Sequence, residues 1–285
     1  MPESIKQALS RADSLQSRSE SWQLDSELLL AHALGKPREY LFTWPDKELS
    51  DTQLNEYQEF LCRRGKGEPI AYILGRKEFW DFELVVNYSV LIPRPETELL
   101  VEIAIDILRN DERAAVKVAD LGTGSGAIAL ALARSLADIK VIAVDLSEDA
   151  LQVAATNAER LDVANIEFIQ SSWCDGLQDK DFDMIVSNPP YVAEGDSHLD
   201  QGDLPFEPAL ALTAAGNGLA DIQTITSQTR DRLKSGGWLL LEHGYDQREA
   251  VADILGKAGF SDIRCLQDLA GVDRVSLGRL TGPAS

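Results

Sequence analysis

Cysteine and histidine are scarce in this chain, with three of each among 285 residues. Cys62, Cys174 and Cys265 are odd in number and far apart, and His32, His198 and His243 form no Cys-x-x-Cys or His-rich pattern. Both facts argue against a disulfide framework and against a bound structural metal. Long apolar runs are missing too, since nothing approaches the roughly 20 residues of a membrane span. The opening MPESIKQALS lacks the basic-then-apolar order of a secretory signal. The expectation is a cytosolic protein with no membrane association. Positive charge is also short, at 27 Lys and Arg against 47 Asp and Glu, a formal net charge of −20. The deficit is uneven: residues 1–85 hold 11 basic and 15 acidic residues, or −4, and the remainder 16 against 32, or −16. A surface of that sign repels a polyanion and disfavours direct nucleic-acid binding. What the chain does have is a core: 44% hydrophobic and 26% charged residues make it globular, as one large or two unequal domains.

Residues 1–70 read as a small helical domain. SWQLDSELLLAHALG places Leu24, Leu28 and Ala31 on one helical face, with Gly35 before Pro37 as a stop. SDTQLNEYQEFLCRRGKG has Ser50 as N-cap and Leu54, Tyr57, Phe60 and Leu61 as its apolar stripe, ending near Gly65 and Gly67. Residues 71–95, rich in aromatic and β-branched types and broken by Gly75, Asn87, Pro93 and Pro95, predict a β-hairpin-like connector. Arg63, Arg64, Lys66, Arg76 and Lys77 make the one locally basic stretch, either a solvated face or a partner-binding patch. From residue 96 to 285 helix and strand patterns alternate. This predicts an α/β domain with a mostly parallel, Rossmann-like sheet, ligands binding beyond the carboxyl ends of its strands.

VADLGTGSGAIALALA sets Gly122, Gly124 and Gly126 between a strand and a helix. The spacing G-x-G-x-G is neither the dinucleotide fingerprint nor a phosphate-binding Walker loop, because the G-K-[ST] is absent. Asp120, just before the glycines, supplies a carboxylate suited to an ammonium group. Asp145 ends the next strand, where it can accept from both ribose hydroxyls or else cap the following helix in competition with Ser147. These residues resemble the Rossmann-like methyltransferases that use S-adenosylmethionine. The resemblance implies that Gly122, Thr123, Gly124, Ser125 and Gly126 hold the methionine end of the cofactor and Asp145 its ribose. Trp173, after the third strand, is then either an adenine contact or a core indole.

SNPPYV follows FDMIV, a strand pattern that two prolines stop. A tight turn alone would account for it. Beside a methyl donor, however, an Asn188 carboxamide oxygen and the next carbonyl can accept the two N–H groups of a planar NH2, hold its nitrogen in line, and stabilise its growing positive charge. Pro189 and Pro190 would hold that turn rigid without competing donors, and Tyr191 would pack over the planar group. No general base is needed, because the nitrogen becomes acidic only after methylation.

Asn-Pro-Pro-Tyr resembles the signature of methyltransferases acting on planar nitrogen. Together with GEPIAYILGRKEFW, VLIPRPETELLVE, DLGTGSGAIALALA and the small helical N-terminal region, it closely resembles the PrmC (HemK) family of release factor glutamine N5-methyltransferases. The resemblance implies methyl transfer from S-adenosylmethionine, leaving S-adenosylhomocysteine, to the glutamine of a Gly-Gly-Gln motif in class 1 peptide chain release factors. It implies Asn188, Pro189 and Tyr191 as catalytic residues, Asn188, Pro189, Pro190 and Tyr191 as substrate contacts, and Asp120, Gly122 to Gly126, Asp145, Trp173 and Asn188 as cofactor contacts. The N-terminal domain would recognise the substrate, and the protein would be a monomer. Arg94 and Pro95 in IPRPETE favour release factors over a ribosomal-protein glutamine. A DNA adenine methyltransferase shares the amide chemistry but conflicts with the −16 of residues 86–285. Asn217 departs from the family pattern, which has an acidic residue there, and residues 193–216, with Glu207, are expected to cover the substrate.

Overall fold

The computed structural model describes residues 3–16, 19, 21–110 and 116–281. The chain divides into two compact units, Met1–Arg76 with Asp200–Phe206, and Lys77–Leu199 with Glu207–Ser285.

In the first unit, helices α1 (Ile5–Ser10), α2 (Trp22–Leu34), α3 (Glu39–Thr43), α4 (Asp51–Gly65) and α5 (Ile70–Leu74) enclose a core that includes Ile5, Leu29, Leu30, Leu41, Tyr57, Phe60 and Ile73. Ser4 and Ser50 start α1 and α4 with reciprocal capping boxes to Gln7 and Gln53, which satisfy two otherwise unpaired N–H groups at each end. Gly35 ends α2 in the left-handed conformation, φ +59°. The buried face of α2 holds Leu29, Leu30 and Ala31 together with two polar residues. Leu24 is exposed, while Asp25 and Ser26 are buried. The physical reason is polar pairing: Asp25 accepts from Arg64 Nε at 2.8 Å, and Ser26 Oγ meets Tyr57 OH at 2.7 Å. The same pairing revises the basic stretch, since Arg63 bonds Glu68 and Arg64 also lies 3.5 Å from Asp203. These two charges face partners within their own unit rather than solvent. IAYIL, expected within the hairpin-like connector, is helix α5, stopped by Gly75 at φ +69°.

The second unit takes up the chain within a two-stranded sheet, β1 (Arg76–Phe79) and β2 (Phe82–Val85), followed by the extended segment to Glu96. It continues α6 (Thr97–Arg109), β3 (Val116–Leu121), α7 (Ala127–Ser135), β4 (Ile139–Asp145), α8 (Glu148–Arg160), β5 (Ile166–Gln170) and β6 (Phe182–Ser187). After β6, the two-residue strands β7 (Val192–Ala193) and β8 (Thr213–Ala214) pair in parallel, with the short helix α9 (Ala209–Leu212) between them. The kinked turn α10 (Ala215–Gly218), α11 (Ala220–Thr229), β9 (Leu233–Glu242), α12 (Arg248–Lys257), β10 (Phe260–Gln267) and β11 (Asp273–Leu280) complete the unit.

Among the described residues the main sheet has seven strands in the order β10-β11-β9-β6-β3-β4-β5. β5, β4, β3, β6 and β9 are parallel neighbours, and β11, the last strand in sequence, runs antiparallel to both β9 and β10. The chain winds from β3 outward to β4 and β5, then returns past β3 to β6 and β9. The reversal opens a crevice at the carboxyl ends of β3 and β6, where ligands bind in open sheets of this kind. β6 is buried along its whole length, which accounts for the apolar run Met184 to Val186 within it. β9 begins at Leu233, earlier than its apolar run, because Gly236 and Gly237 lie inside the strand at a register shift opposite Phe182 and Met184 rather than ending it. Lys234 there reaches both oxygens of buried Asp183, at 2.9 and 2.8 Å.

Candidate active site

The loop after β3 is held by its neighbours before any ligand enters. Gly122 and Thr123 donate N–H bonds of 2.8 and 2.9 Å to the Val144 carbonyl, and Gly122, Gly124 and Gly126 have φ of +76°, +55° and +85°. Gly126 opens α7 where a Cβ would lie 3.0 Å from Leu130 and 3.2 Å from Ala154, so a side chain there would force α7 and α8 apart. Asp120 is fully buried under the loop. Its Oδ2 accepts from Thr123 Oγ1 at 2.7 Å and from the Ala129 N–H at 3.2 Å, while Oδ1 has no hydrogen-bond partner. Burial pushes this carboxyl up to about 7.

Asp145 ends β4 and accepts from Gly124 N–H at 2.8 Å and from Ser147 N–H at 2.9 Å, one on each oxygen. Each oxygen keeps a second lone pair for a ligand hydroxyl. The helix cap is Ser147, whose Oγ accepts from Ala150 N–H at 3.1 Å, so Asp145 is not occupied in capping α8. Trp173, at φ +45°, lies against the loop, with its ring 3.3 Å from where a Gly122 Cβ would stand, and its indole N–H donates to Asp221.

These groups border a cavity of ≈ 730 Å³, within the range of about 300–1,000 Å³ usual for small-molecule sites. Gly122, Thr123, Gly124, Ser125, Asp145, Trp173, Asn188 and Pro190 line it; Asp120, Gly126, Pro189 and Tyr191 do not. Sequence reasoning missed Tyr88, Val90 and Pro93 of the connector, Leu146, and Leu210 of the segment after Pro208, all of which line the wall or its mouth. The available signal was alternation in the connector, with Val86, Val90 and Ile92 buried, broken at Tyr88, which belongs to the same face but is exposed. One amide ties connector to loop. Asn157 of α8 accepts from Val85 N–H at 2.7 Å and donates to the Val85 and Ser125 carbonyls at 3.0 and 2.9 Å.

On the opposite side, β6 ends at Ser187 and Asn188 turns toward the cavity. Its Nδ2 donates to Thr97 Oγ1 at 3.1 Å. Thr97, the first residue of α6, also lines the cavity and is hydrogen-bonded to Glu242 at the end of β9. Tyr191 is directed behind this wall, its hydroxyl 3.4 Å from Glu242 Oε1, and burial raises its pKa. Its carbonyl accepts from Gln247 Nε2 at 3.0 Å. A Cβ on Gly218 would stand only 2.1 Å from that carbonyl, so the Asn-Pro-Pro-Tyr turn closes against a position that only glycine fits. Neighbouring Asn217 takes φ +59°, a left-handed conformation that Asn tolerates. Glu207, with a fully buried side chain, pairs with Arg94 at 2.6 Å, joining the connector to the segment before α9. Among the described residues no group of three or more His, Cys, Asp or Glu could hold a metal, and no helix is long and apolar enough to cross a membrane.

Comparison with known proteins narrows this geometry. Residues 7–75 match the PrmC N-terminal domain and residues 97–258 the methyltransferase small domain. A release factor glutamine methyltransferase of Vibrio cholerae is 52% identical over 93% of this chain and 92% of its own length. The chain belongs to the release factor glutamine methyltransferase family. An Escherichia coli member is 47% identical over 92% of this chain and 93% of its own. A methyltransferase structure from Pyrococcus furiosus shares the fold alone, at 19% identity and TM-score 0.53, covering 79% of this chain and all of the other. As a release factor glutamine methyltransferase the chain is an enzyme, with the mostly parallel sheet and helical N-terminal region that the motifs implied.

Proposed function

We propose that the cavity transfers the methyl group of S-adenosylmethionine to the side-chain N5 of the glutamine in the Gly-Gly-Gln motif of class 1 peptide chain release factors. The observation that carries this reading is that Asn188, at the end of β6, and the Gly122 to Ser125 loop with Asp145, at the ends of β3 and β4, line one cavity. The fit to the cofactor rests on the chain's own atoms: Asp145 has two oxygens with lone pairs left over, and Trp173 faces the loop. When bound, the sulfonium supplies an electrophilic methyl carbon. Gly122, Thr123, Gly124 and Ser125 hold the methionine end, Asp145 the ribose hydroxyls, and Trp173 borders the adenine. Asp120 and Gly126 act through the loop, one by hydrogen bonds beneath it and the other by allowing α7 to approach α8.

On the acceptor side, the Asn188 oxygen accepts one N–H of the glutamine amide and fixes its plane, so that the nitrogen lies in line with the methyl group. As the nitrogen becomes positive in the transition state, the same oxygen stabilises it. Pro189 and Pro190 hold the turn, and Tyr191 supports it from behind. The proton leaves after transfer and needs no dedicated base. Residues 1–70 serve as the substrate-recognition domain, 71–95 as the connector and 96–285 as the methyltransferase domain, acting as a monomer in the cytoplasm without direct contact to nucleic acid.

The test is incubation with methyl-labelled S-adenosylmethionine and a purified class 1 release factor. Label on the single glutamine of Gly-Gly-Gln, absent when that residue is alanine, is the expected result. Equal labelling of both substrates, or of neither, refutes the reading.

A further inference from the structure

An asparagine amide has two ends of opposite character. Only its oxygen can accept from a substrate NH2. The methyl-transfer reading therefore needs Oδ1 of Asn188 turned to the cavity and Nδ2 turned away, and something must enforce that choice, because the two ends have almost the same shape. Parallel pairing of β6 and β9 places Ser187 beside Leu241, which sets the next residues, Asn188 and Glu242, side by side at the strand ends. Thr97 joins them: its Oγ1 accepts from Asn188 Nδ2 at 3.1 Å, and its hydroxyl is hydrogen-bonded to Glu242. Thr97 and Glu242 are 4% and 1% exposed, so bulk water does not compete for these bonds.

We infer that Thr97 and Glu242 are positioning residues that set the orientation of the Asn188 amide and thereby present its oxygen to the substrate. A carboxylate can only accept, so the single hydroxyl proton of Thr97 goes to Glu242. The Thr97 oxygen then has only lone pairs to offer Asn188, and an amide NH2 satisfies it where an amide oxygen would be repelled. Tyr191 donates to Glu242 Oε1 at 3.4 Å, which makes Glu242 acceptor for two hydroxyls. This relay explains a buried acid that touches neither the cavity nor a metal. It deepens the methyl-transfer reading and rests on it.

Protonation of Glu242 would reverse the relay. A carboxylic acid donates to Thr97, the Thr97 proton is released toward Asn188, and the amide is then drawn round with its NH2 to the cavity. Burial pushes Glu242 up to about 7. The charged and titratable groups facing it are Arg274 on β11, Glu96 before α6 and Tyr191 after β6. His243, next on β9, is buried with its pKa lowered, and its ring bonds the Gly244 carbonyl and Ser276.

The experiment compares Thr97→Val, Thr97→Ser and Glu242→Gln in the full chain, with methyl-labelled S-adenosylmethionine and a purified release factor. Valine keeps the shape of threonine and removes both halves of the relay. A fall in kcat of about 100-fold is expected, as for a misplaced catalytic group, with the cofactor dissociation constant unchanged. Serine restores the hydroxyl and returns kcat to within about threefold of the parent. In the wild type kcat falls as pH drops through the neutral range, and Glu242→Gln removes that dependence. In an Asn188→Ala background, Thr97→Val has no further effect, because the amide it orients is gone. Parent-like kcat in Thr97→Val, equal loss in the valine and serine variants, or independent effects of Thr97→Val and Asn188→Ala would overturn the relay. An unchanged kcat in Asn188→Ala alone would instead overturn the acceptor role itself, which keeps the two failures apart.

Discussion

Asp120 and Glu242 are both buried carboxylates pushed up to about 7 by desolvation, and each has one oxygen without a hydrogen-bond partner, yet they are surrounded in different ways. Asp120 bonds Thr123 and Ala129, three and nine positions along the chain. Glu242 bonds Thr97 and Tyr191, brought in from the start of α6 and the far side of β6. One wall of the cavity is thus built from a single strand–loop–helix and the strand beside it. The other exists only once α6, β6 and β9 meet. A local wall can be shaped by its own glycines and short-range bonds, whereas a non-local wall depends on sheet register, and register is a property of the whole unit.

If the two walls have separate duties, substitutions should separate them. The largest effect is expected from Asn188→Ala, which should raise the barrier by about 2–4 kcal/mol, as for the loss of one transition-state acceptor or donor. Steady-state kinetics should show this in kcat, with the cofactor dissociation constant near that of the parent; a loss confined to cofactor affinity would erase the distinction. Asp145→Ala should do the reverse. Removing charged hydrogen bonds worth roughly 1.5–3 kcal/mol should weaken cofactor binding, measured by titration calorimetry, while kcat at saturating cofactor changes far less.

Asn157→Leu should lower stability by about 1–3 kcal/mol, because it leaves the half-buried Val85 N–H and carbonyl and the buried Ser125 carbonyl without their partner. Urea unfolding measures that loss. Should cofactor affinity collapse along with it, the glycine wall would be less self-contained than its short-range bonds imply. The last comparison concerns pH. Asp120 and Glu242 have folded pKa values near 7, above the ordinary carboxylate value, so the folded chain keeps protons that the unfolded chain releases. Their contribution to stability is full below the unfolded value of about 4 and is lost as pH rises through about 7. Urea midpoints without cofactor should therefore decline from pH 5 to pH 8, and Asp120→Asn should flatten part of that decline; an identical slope would remove Asp120 from the account.

The alternation after residue 96 was enough to specify a parallel sheet, because buried strands and amphipathic helices announce themselves by period. DLGTGSG, the acid at the end of VIAVD and the Asn-Pro-Pro-Tyr stop were legible as segments lining one cavity for a similar reason: each takes its shape within a few residues, in a conformation those residue types impose. Ser50 and Gly35 marked helix ends through equally local chemistry. Less was visible where partners are distant. The burial of Asp25 and Ser26 on α2 follows from Arg64 and Tyr57, which lie far along the chain. Arg63 and Arg64 read as one exposed basic run until their acidic partners were in place. Tyr191 supports from behind the wall that it was expected to face. Above all, nothing in PETE or LLLEHG marks Thr97 or Glu242 as neighbours of Asn188. The sequence by itself determined which chemical groups the protein carries and the local shapes that hold them. Which end of an amide faces the cavity was decided only by the tertiary structure, since it depends on hydrogen bonds among three segments that the chain does not bring together until the sheet has formed.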